Sequence, residues 1–359
     1  MENEKNSKGK KSKIIRKVIN YVILTAVSAV LVYYLLNNIH IGDIWNSIRS
    51  IYIPLFVLAL LLSVGGFYLR AYRYKILLGR YTVGVNDLTL VTVARDLFTD
   101  VLPARLGSLS YIYILVRKYS VPLEVCMSTF VVSAVLDSIA IMPILVLALI
   151  IVGSQSFSIF PSFYLIVSAS AFVIFILILV FLDRLIRLGI KILDWFFVKI
   201  KLRRARFVDY AMNKIVFMND NIMEIKGRKV YPQVFGLTVI IRILKFVVYY
   251  ILLLSIVMSM GYGVTEISFW KSFLGTASAE LSATLPTHSL AGIGTYEASW
   301  TVAFILLGFP KDFAIISGFS FHAIKLAYNI TFGLVALIVL IFVSRKVKNA
   351  GLPKEQEMA

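Results

Sequence analysis

Apolar residues fall in long runs separated by short polar stretches along nearly all 359 positions. A run of about twenty apolar residues matches the hydrocarbon core of a bilayer. Spans are expected at 18–36, 53–69, 130–152, 163–182, 234–258 and 313–343. Two further stretches, 86–117 and 268–307, are too polar and too interrupted for ordinary spans. The first carries Arg95, Asp96, Asp100 and Arg105 around a Leu102–Pro103 break and Gly107; the second carries Glu280, Leu285–Pro286, Gly292, Gly294 and Glu297. The first stretch is flanked by positive residues at both ends, Arg70 to Arg80 before it and Arg117–Lys118 after it. Both ends therefore belong on one side, as in a re-entrant hairpin, whose broken backbone survives at membrane depth only inside protein or beside a wet cavity. The pattern predicts an all-α integral membrane protein with six spanning helices plus two re-entrant helical hairpins.

The two halves, about 18–152 and 163–343, repeat one plan: span, span, interrupted hairpin, span. Three crossings per half invert the second copy, so a weak inverted repeat is expected, with hairpins entering from opposite faces. Leu102–Pro103 corresponds to Leu285–Pro286, and Val121–Pro122 to Phe309–Pro310. Asp137 lies fifteen positions after Pro122, and Lys325 fifteen after Pro310, so intramembrane charges of opposite sign hold equivalent places. Transporters often use such repeats, with broken helices near mid-depth.

Charge adds orientation. The chain carries 37 Lys+Arg against 19 Asp+Glu, a net charge of +18. The positive residues collect in the tail 1–17, in the loop 183–232 with its twelve Lys and Arg, and after 343. Such clusters stay on the cytoplasmic side and meet anionic headgroups. Both termini are therefore expected in the cytoplasm, with 1–17 and 347–359 as tails, 18–346 as one transmembrane domain, and 183–232 as amphipathic helices on the membrane face. The basicity is explained without nucleic acid. With 59% hydrophobic residues, the chain has no room for a soluble catalytic domain. The first apolar run is too long for a cleaved signal. The single cysteine, Cys126, implies neither a disulfide nor a metal site.

Ionisable groups inside a bilayer are costly and tend to face cavities. The set here is Arg95, Asp96, Asp100, Arg105, Asp137, Arg242, Lys245, Glu280, Glu297 and Lys325. One reading is a polar cavity between the hairpins, where arginines hold a lipid phosphate by forked hydrogen bonds. The other is that the charges pair only to fasten the hairpins. Arg70, Arg73 and Arg80 read as inside-facing anchors. Pro103, Gly107, Pro286, Gly292 and Gly294 read as backbone devices. His288 and His322 are expected to be hydrogen-bonded structural groups, and the Asn329 sequon lies inside a span. No phosphate-binding loop, zinc-binding histidine pair or nucleophile elbow is present, so neither cofactor nor metal is expected.

The stretches Arg70-Ala-Tyr-Arg-Tyr-Lys-Ile-Leu-Leu, Leu102-Pro-Ala-Arg-Leu-Gly-Ser, Val131-Val-Ser-Ala-Val-Leu-Asp137 and Leu285-Pro-Thr-His-Ser-Leu-Ala-Gly-Ile-Gly-Thr-Tyr-Glu297-Ala occur in this order. Together they resemble the lysylphosphatidylglycerol synthase transmembrane-region family, whose members are also called flippase-like domain proteins. The resemblance implies a lipid-handling role. In the best-known members this membrane domain moves an aminoacylated phospholipid between leaflets, and a separate soluble C-terminal domain attaches the amino acid. That synthase domain is not expected here, because the sequence ends soon after Val343. Other relatives are linked to glycolipid or polyprenyl-lipid pathways. The family's Glu-Arg pair before Val-Leu-Asp is Ser133–Ala134 here, its Pro-Gly-Gly is replaced around Thr287-His288-Ser289, and Lys325 stands where an arginine is common. These departures leave headgroup specificity open.

The expected function is a lipid translocase in the cell membrane, moving a phospholipid or lipid-linked glycan headgroup between leaflets. With no ATP-binding motif, transport would be passive or driven by an ion gradient. The alternatives are an accessory subunit of a separately encoded synthase or glycosyltransferase, docked on the loop 183–232, and a membrane-embedded enzyme of lipid headgroup or glycolipid synthesis. The expected partners are membrane lipids, with an oligomer possible.

Overall fold

A computed structural model describes residues 29–37, 39–156, 225, 227–282 and 290–342, with the backbone alone at 103–105, 154–156 and 290. Every regular element among them is helical. In chain order these are α1 (Ile41–Arg49), α2 (Ile53–Leu78), α3 (Val85–Val101), α4 (Ser110–Tyr119), α5 (Leu123–Ser156), α6 (Tyr231–Val257), α7 (Phe269–Ser282), α8 (Thr295–Leu306) and α9 (Lys311–Phe342). The described part of the expected first span is helical over 29–36. The rest of that span, the span at 163–182 and nearly all of the loop 183–232 lie outside the described residues.

Four stretches among the described residues are long and apolar enough to cross a membrane: Ile53–Leu78, Leu123–Gly153, Tyr231–Met260 and Lys311–Phe342. They coincide with four of the six expected spans and overrun most of them. At 1.5 Å per residue, the 26 residues of α2 reach about 39 Å, beyond the roughly 30 Å hydrocarbon core. Burial ranks these helices. Half of the apolar window of α6 is buried inside the protein, against 17% for α2. Helix α5 starts at Leu123, directly after Pro122, and continues through Pro143, so the expected amphipathic lead-in and span are one helix.

The described residues form two compact units. Unit one holds the chain up to Leu60, Arg95–Ser108 and Val247–Phe332; unit two holds Leu61–Ala94, Leu109–Phe246 and the chain from Gly333.

Both interrupted stretches are helix–break–helix. In the first, α3 ends at Val101, a 3-10 turn runs Pro103–Leu109, and α4 follows. In unit one the 3-10 turn folds onto the end of α3. A Cβ at Gly107 would overlap the Phe98 carbonyl, so only glycine permits this approach. In the second stretch α7 and α8 pack along each other, also in unit one. Gly275 makes room for the Phe304 ring, and the Ser278 and Ser299 hydroxyls meet at 3.1 Å. Small residues bring backbones close where lipid supplies no hydrophobic drive. The backbone before α8 turns through positive φ at Ala291, Gly292 and Gly294. Leu285–Pro286 and His288 lie outside the described residues.

In unit two, the C-terminus of α2 is closed by a distant arginine. Arg228 donates to the Leu77 carbonyl at 3.1 Å and to the Ile76 carbonyl, and a Cβ at Gly79 would collide with that guanidinium. Leu77 also joins Val132, Leu136, Ile225 and Val234 in a buried apolar cluster. Outside the spans, in unit one, the Thr265 hydroxyl and the Gly263 N–H donate to Glu266 and hold its carboxyl below the usual range.

Candidate functional site

Two polar clusters occur among the described residues, one in each unit. In unit two, Asp137 of α5 meets two arginines. Arg73 of α2 forks onto it, Nη1 to Oδ1 at 2.6 Å and Nη2 to Oδ2 at 3.2 Å. Arg242 of α6 approaches both oxygens as well, Nε to Oδ1 at 3.1 Å and Nη2 to Oδ2 at 2.9 Å. Arg73 Nη1 also donates to the Thr238 hydroxyl at 3.1 Å, and that hydroxyl donates to the Val234 carbonyl one turn back. Thr238 and Arg242 are four apart on α6 and so share a face.

Exposure divides the three charged groups. The Arg73 side chain is 1% exposed, whereas Asp137 and Arg242 each keep 20% of their side-chain surface. Arg73 is thus a buried fixture, while Arg242 and Asp137 are half-buried. Two guanidinium groups against one carboxylate leave the three with a formal charge of +1. A guanidinium group can bind a carboxylate or a phosphate through a fork of two hydrogen bonds. Behind the cluster Arg73 lies over the Tyr74 ring at 5.6 Å, and Tyr74 packs on Tyr111 of α4 at 4.3 Å between centroids.

In unit one, the polar groups line one face of α9. His322, Lys325 and Asn329 follow i, i+3, i+7 spacing, which places them on a single stripe. His322 Nδ1 lies 2.6 Å from Glu297 Oε1, with both side chains 4% exposed. The other Glu297 oxygen accepts the Gly294 N–H at 2.7 Å, capping the first turn of α8. The His322 ring stacks on Tyr296 at 4.2 Å. Lys325 Nζ lies 3.8 Å from Glu280 Oε1 and sits over the rings of Tyr296 and Tyr249 at 5.1 and 5.7 Å. The Tyr249 hydroxyl donates to Glu280 at 2.8 Å. Asn329 Nδ2 donates to Asp100 Oδ2 at 2.6 Å, joining α9 to the end of α3.

The candidate residues therefore separate. Asp137 and Arg242 form one cluster, and Asp100, Glu280, Glu297 and Lys325 belong to the other. Arg95 binds its own neighbour, Nη2 to Asp96 Oδ1 at 2.9 Å. Lys245, one turn from Arg242 in sequence, lies over the Phe246 ring at 5.7 Å. The Arg105 side chain lies outside the described part. Arg73, expected as an interfacial anchor, is instead the most buried charge of the first cluster, because α2 continues to Leu78 and carries it into the interior. Sequence reasoning misses Tyr249, Tyr296 and Asn329 as site residues, although the spacing of Asn329 from Lys325 and His322 is a usable signal. Among the described residues, no group of three or more His, Cys, Asp or Glu is placed to hold a metal ion.

The chain matches none of the curated proteins compared with it. The family model described as lysylphosphatidylglycerol synthase TM region matches residues 21–346, almost the whole chain. The chain therefore belongs to the lysylphosphatidylglycerol synthase TM region family, as a multi-pass membrane protein connected with lipid or glycolipid processing.

Proposed function

We propose that the protein is a lipid translocase that carries the headgroup of a phospholipid or phosphate-linked glycolipid across the bilayer. The observation that carries this reading is the two-arginine grip on Asp137 across three membrane-spanning helices. A phosphodiester entering the membrane must exchange its hydration for fixed donors. Arg242 can turn its fork from Asp137 to the phosphate. Asp137 then keeps Arg73, so neither charge is stranded. Once the phosphate leaves, Arg242 returns to Asp137.

The repeated order of elements supports access from both leaflets. Each half has a long helix, a helix–break–helix and a second long helix, with Asp137 and Lys325 at equivalent places. In the proposed arrangement six helices span the bilayer and the two broken stretches dip in from opposite faces, with both termini in the cytoplasm. Inverted copies give inward-open and outward-open states similar energies.

The test is a leaflet-accessibility assay with purified protein in vesicles. Fluorescent phosphatidylglycerol, phosphatidylethanolamine and a phosphate-free diacylglycerol glycoside are compared using a membrane-impermeant quencher. The reading expects protein-dependent exchange of phosphate-bearing lipids and none of the glycoside. Equal exchange of all three, or none, would remove the basis for phosphate recognition. Net chemical conversion of a lipid in detergent would point instead to an enzyme.

A further inference from the structure

The carboxylates of the two clusters have partners of different kinds. Asp137 is held by Arg73 and Arg242, and a guanidinium group keeps its charge at every accessible pH. Glu297 is held by His322, and imidazole is the side chain whose ordinary titration lies near neutrality. His322 Nδ1 lies 2.6 Å from Glu297 Oε1, and both side chains are almost wholly enclosed. A contact that short needs a hydrogen between the two atoms. Among the described residues, no lysine or arginine pairs with Glu297.

The surroundings favour an anionic carboxylate and a cationic ring. Glu297 accepts the Gly294 N–H and sits in the first turn of α8, at the positive end of the helix dipole. The His322 ring stacks on Tyr296, and an aromatic face attracts a cation. Among the described residues, the carboxylates of this cluster are Asp100 of α3, Glu280 of α7 and Glu297, against Lys325 of α9 as its one permanent cation. Lys325 opposes a second positive charge, but it lies beside Glu280. The other titratable groups here, Tyr249 of α6, Tyr296 of α8 and Tyr328 of α9, are phenols, ordinarily neutral near pH 7. With a neutral ring, Glu297 would be a buried charge without a counter-charge, which is costly. A second observation marks the place. The Tyr296 hydroxyl is buried without a hydrogen-bond partner, within electrostatic reach of Glu280, Glu297 and Asp100. An orphaned hydroxyl beside three carboxylates fits a site whose protons rearrange. Among the described residues, no group of His, Cys, Asp and Glu is placed to hold a metal ion, so the cation this geometry accommodates is a proton.

We infer that the Glu297–His322 pair is a proton-binding site and that the proton is the ion whose gradient drives lipid exchange, the second part resting on the translocase reading. In the loaded state His322 carries a hydrogen on each ring nitrogen, and Nδ1–H donates to the Glu297 carboxylate. On release Nε2 gives its proton to water, while Nδ1–H keeps the contact. The same carboxylate holds the Gly294 N–H at the end of the positive-φ backbone of Ala291, Gly292 and Gly294. Proton occupancy therefore bears directly on the break before α8.

The test is nitrogen NMR of the full chain in vesicles, with its three histidines, His40, His288 and His322, isotopically labelled. His322→Gln identifies the His322 signals by their loss. Between about pH 5 and 9, the His322 ring is expected to pass from imidazolium to neutral imidazole with its hydrogen on Nδ1. Glu297→Gln keeps an acceptor for Gly294 but removes the charge, and the midpoint should fall by about 1–3 pH units. Glu297→Asp keeps the charge at shorter reach and should move the midpoint less. The signal of His40, exposed at the start of α1, should titrate alike in all of these proteins. A His322 ring that stays in one protonation state, or a midpoint that neither substitution moves, would overturn the site. In the vesicle exchange assay, an imposed pH gradient should drive net movement of phosphatidylglycerol by the unaltered protein. His322→Gln, at matched amounts of folded protein, should exchange lipid without responding to the gradient. Exchange that ignores the gradient in the unaltered protein would overturn the coupling and leave the translocase reading in place. No lipid exchange under any condition would remove the translocase reading, and the His322 titration alone would then decide the proton site.

Discussion

Arg73 and Asp137, 64 positions apart in sequence, meet at 2.6 Å inside unit two, with the arginine almost wholly buried. Arg242 completes the arrangement from a third helix. The carboxylate is shared, but its two arginines differ in environment. Arg73 is 1% exposed, whereas Arg242 keeps 20% of its side-chain surface.

Removing Arg73 takes from Asp137 its buried partner, leaving only the more exposed Arg242, and disturbs the packing beside Tyr74. Arg73→Met is expected to destabilise the protein by about 3–5 kcal/mol, the range for breaking a buried ion pair. Asp137→Asn should be comparably harmful, because two guanidinium groups then face each other. The double variant Arg73→Met with Asp137→Asn should lose less than the sum of the two. Thermal unfolding in detergent with a bound-lipid control measures all three. Additive losses would show that the pair is not coupled.

Glu297 uses one carboxylate oxygen on Gly294 N–H and the other on His322. Its first effect when changed should therefore be on stability. Glu297→Ala is expected to cost about 2–3 kcal/mol through the lost cap and the orphaned imidazole. Glu297→Gln, which can still accept from Gly294, should cost less. The yield of folded protein after size-exclusion chromatography separates this outcome from a purely transport-related one. Normal yield and stability in Glu297→Ala would contradict a capping role.

Glycines at close approaches should behave differently from glycines in open positions. Gly107→Ala drives a methyl into the Phe98 carbonyl, and Gly275→Ala drives one into the Phe304 ring. Each is expected to destabilise by about 1–3 kcal/mol, with Gly107 the worse because a backbone atom cannot step aside. A methyl group added at Gly236 of α6 would meet nothing within 4 Å. Gly236→Ala should be neutral or stabilising by up to about 1 kcal/mol, through helix propensity. The melting temperatures of the three variants test the ranking.

The latch at the end of α2 gives a separate check within unit two. Arg228→Gln removes donors to the Leu77 and Ile76 carbonyls. A loss of about 1–3 kcal/mol is expected, with faster hydrogen exchange confined to the last turn of α2. Unchanged exchange there would show that the latch contributes nothing.

Much of this architecture is legible in the sequence, for physical reasons that also explain the omissions. Asp137 and Lys325 stand out because a charge inside an apolar run is conspicuous. Arg73 does not stand out. It sits among Arg70, Lys75 and Arg80, and such a group reads as an interfacial cluster when the span is taken to end at 69. Only the continuation of α2 to Leu78 moves it inside. Glu297 is legible as a buried charge, but its role is not. The spacing Gly294-x-x-Glu297 before an apolar run is the available sign of a helix cap. Pairings such as Asp100 with Asn329 depend on two segments 229 positions apart, and no local pattern encodes that contact.

The most direct test of the central claim is the rate of phosphatidylglycerol exchange in vesicles holding Arg242→Gln or Arg242→Lys at matched amounts of folded protein. Glutamine keeps a polar group but is shorter and loses the charged fork, and the predicted drop is about 10–100-fold, from 1.5–3 kcal/mol per charge-assisted contact. Lysine, a point charge without the fork, should fall between the two. An Arg242→Gln protein that exchanges phosphatidylglycerol at the unaltered rate would contradict the account.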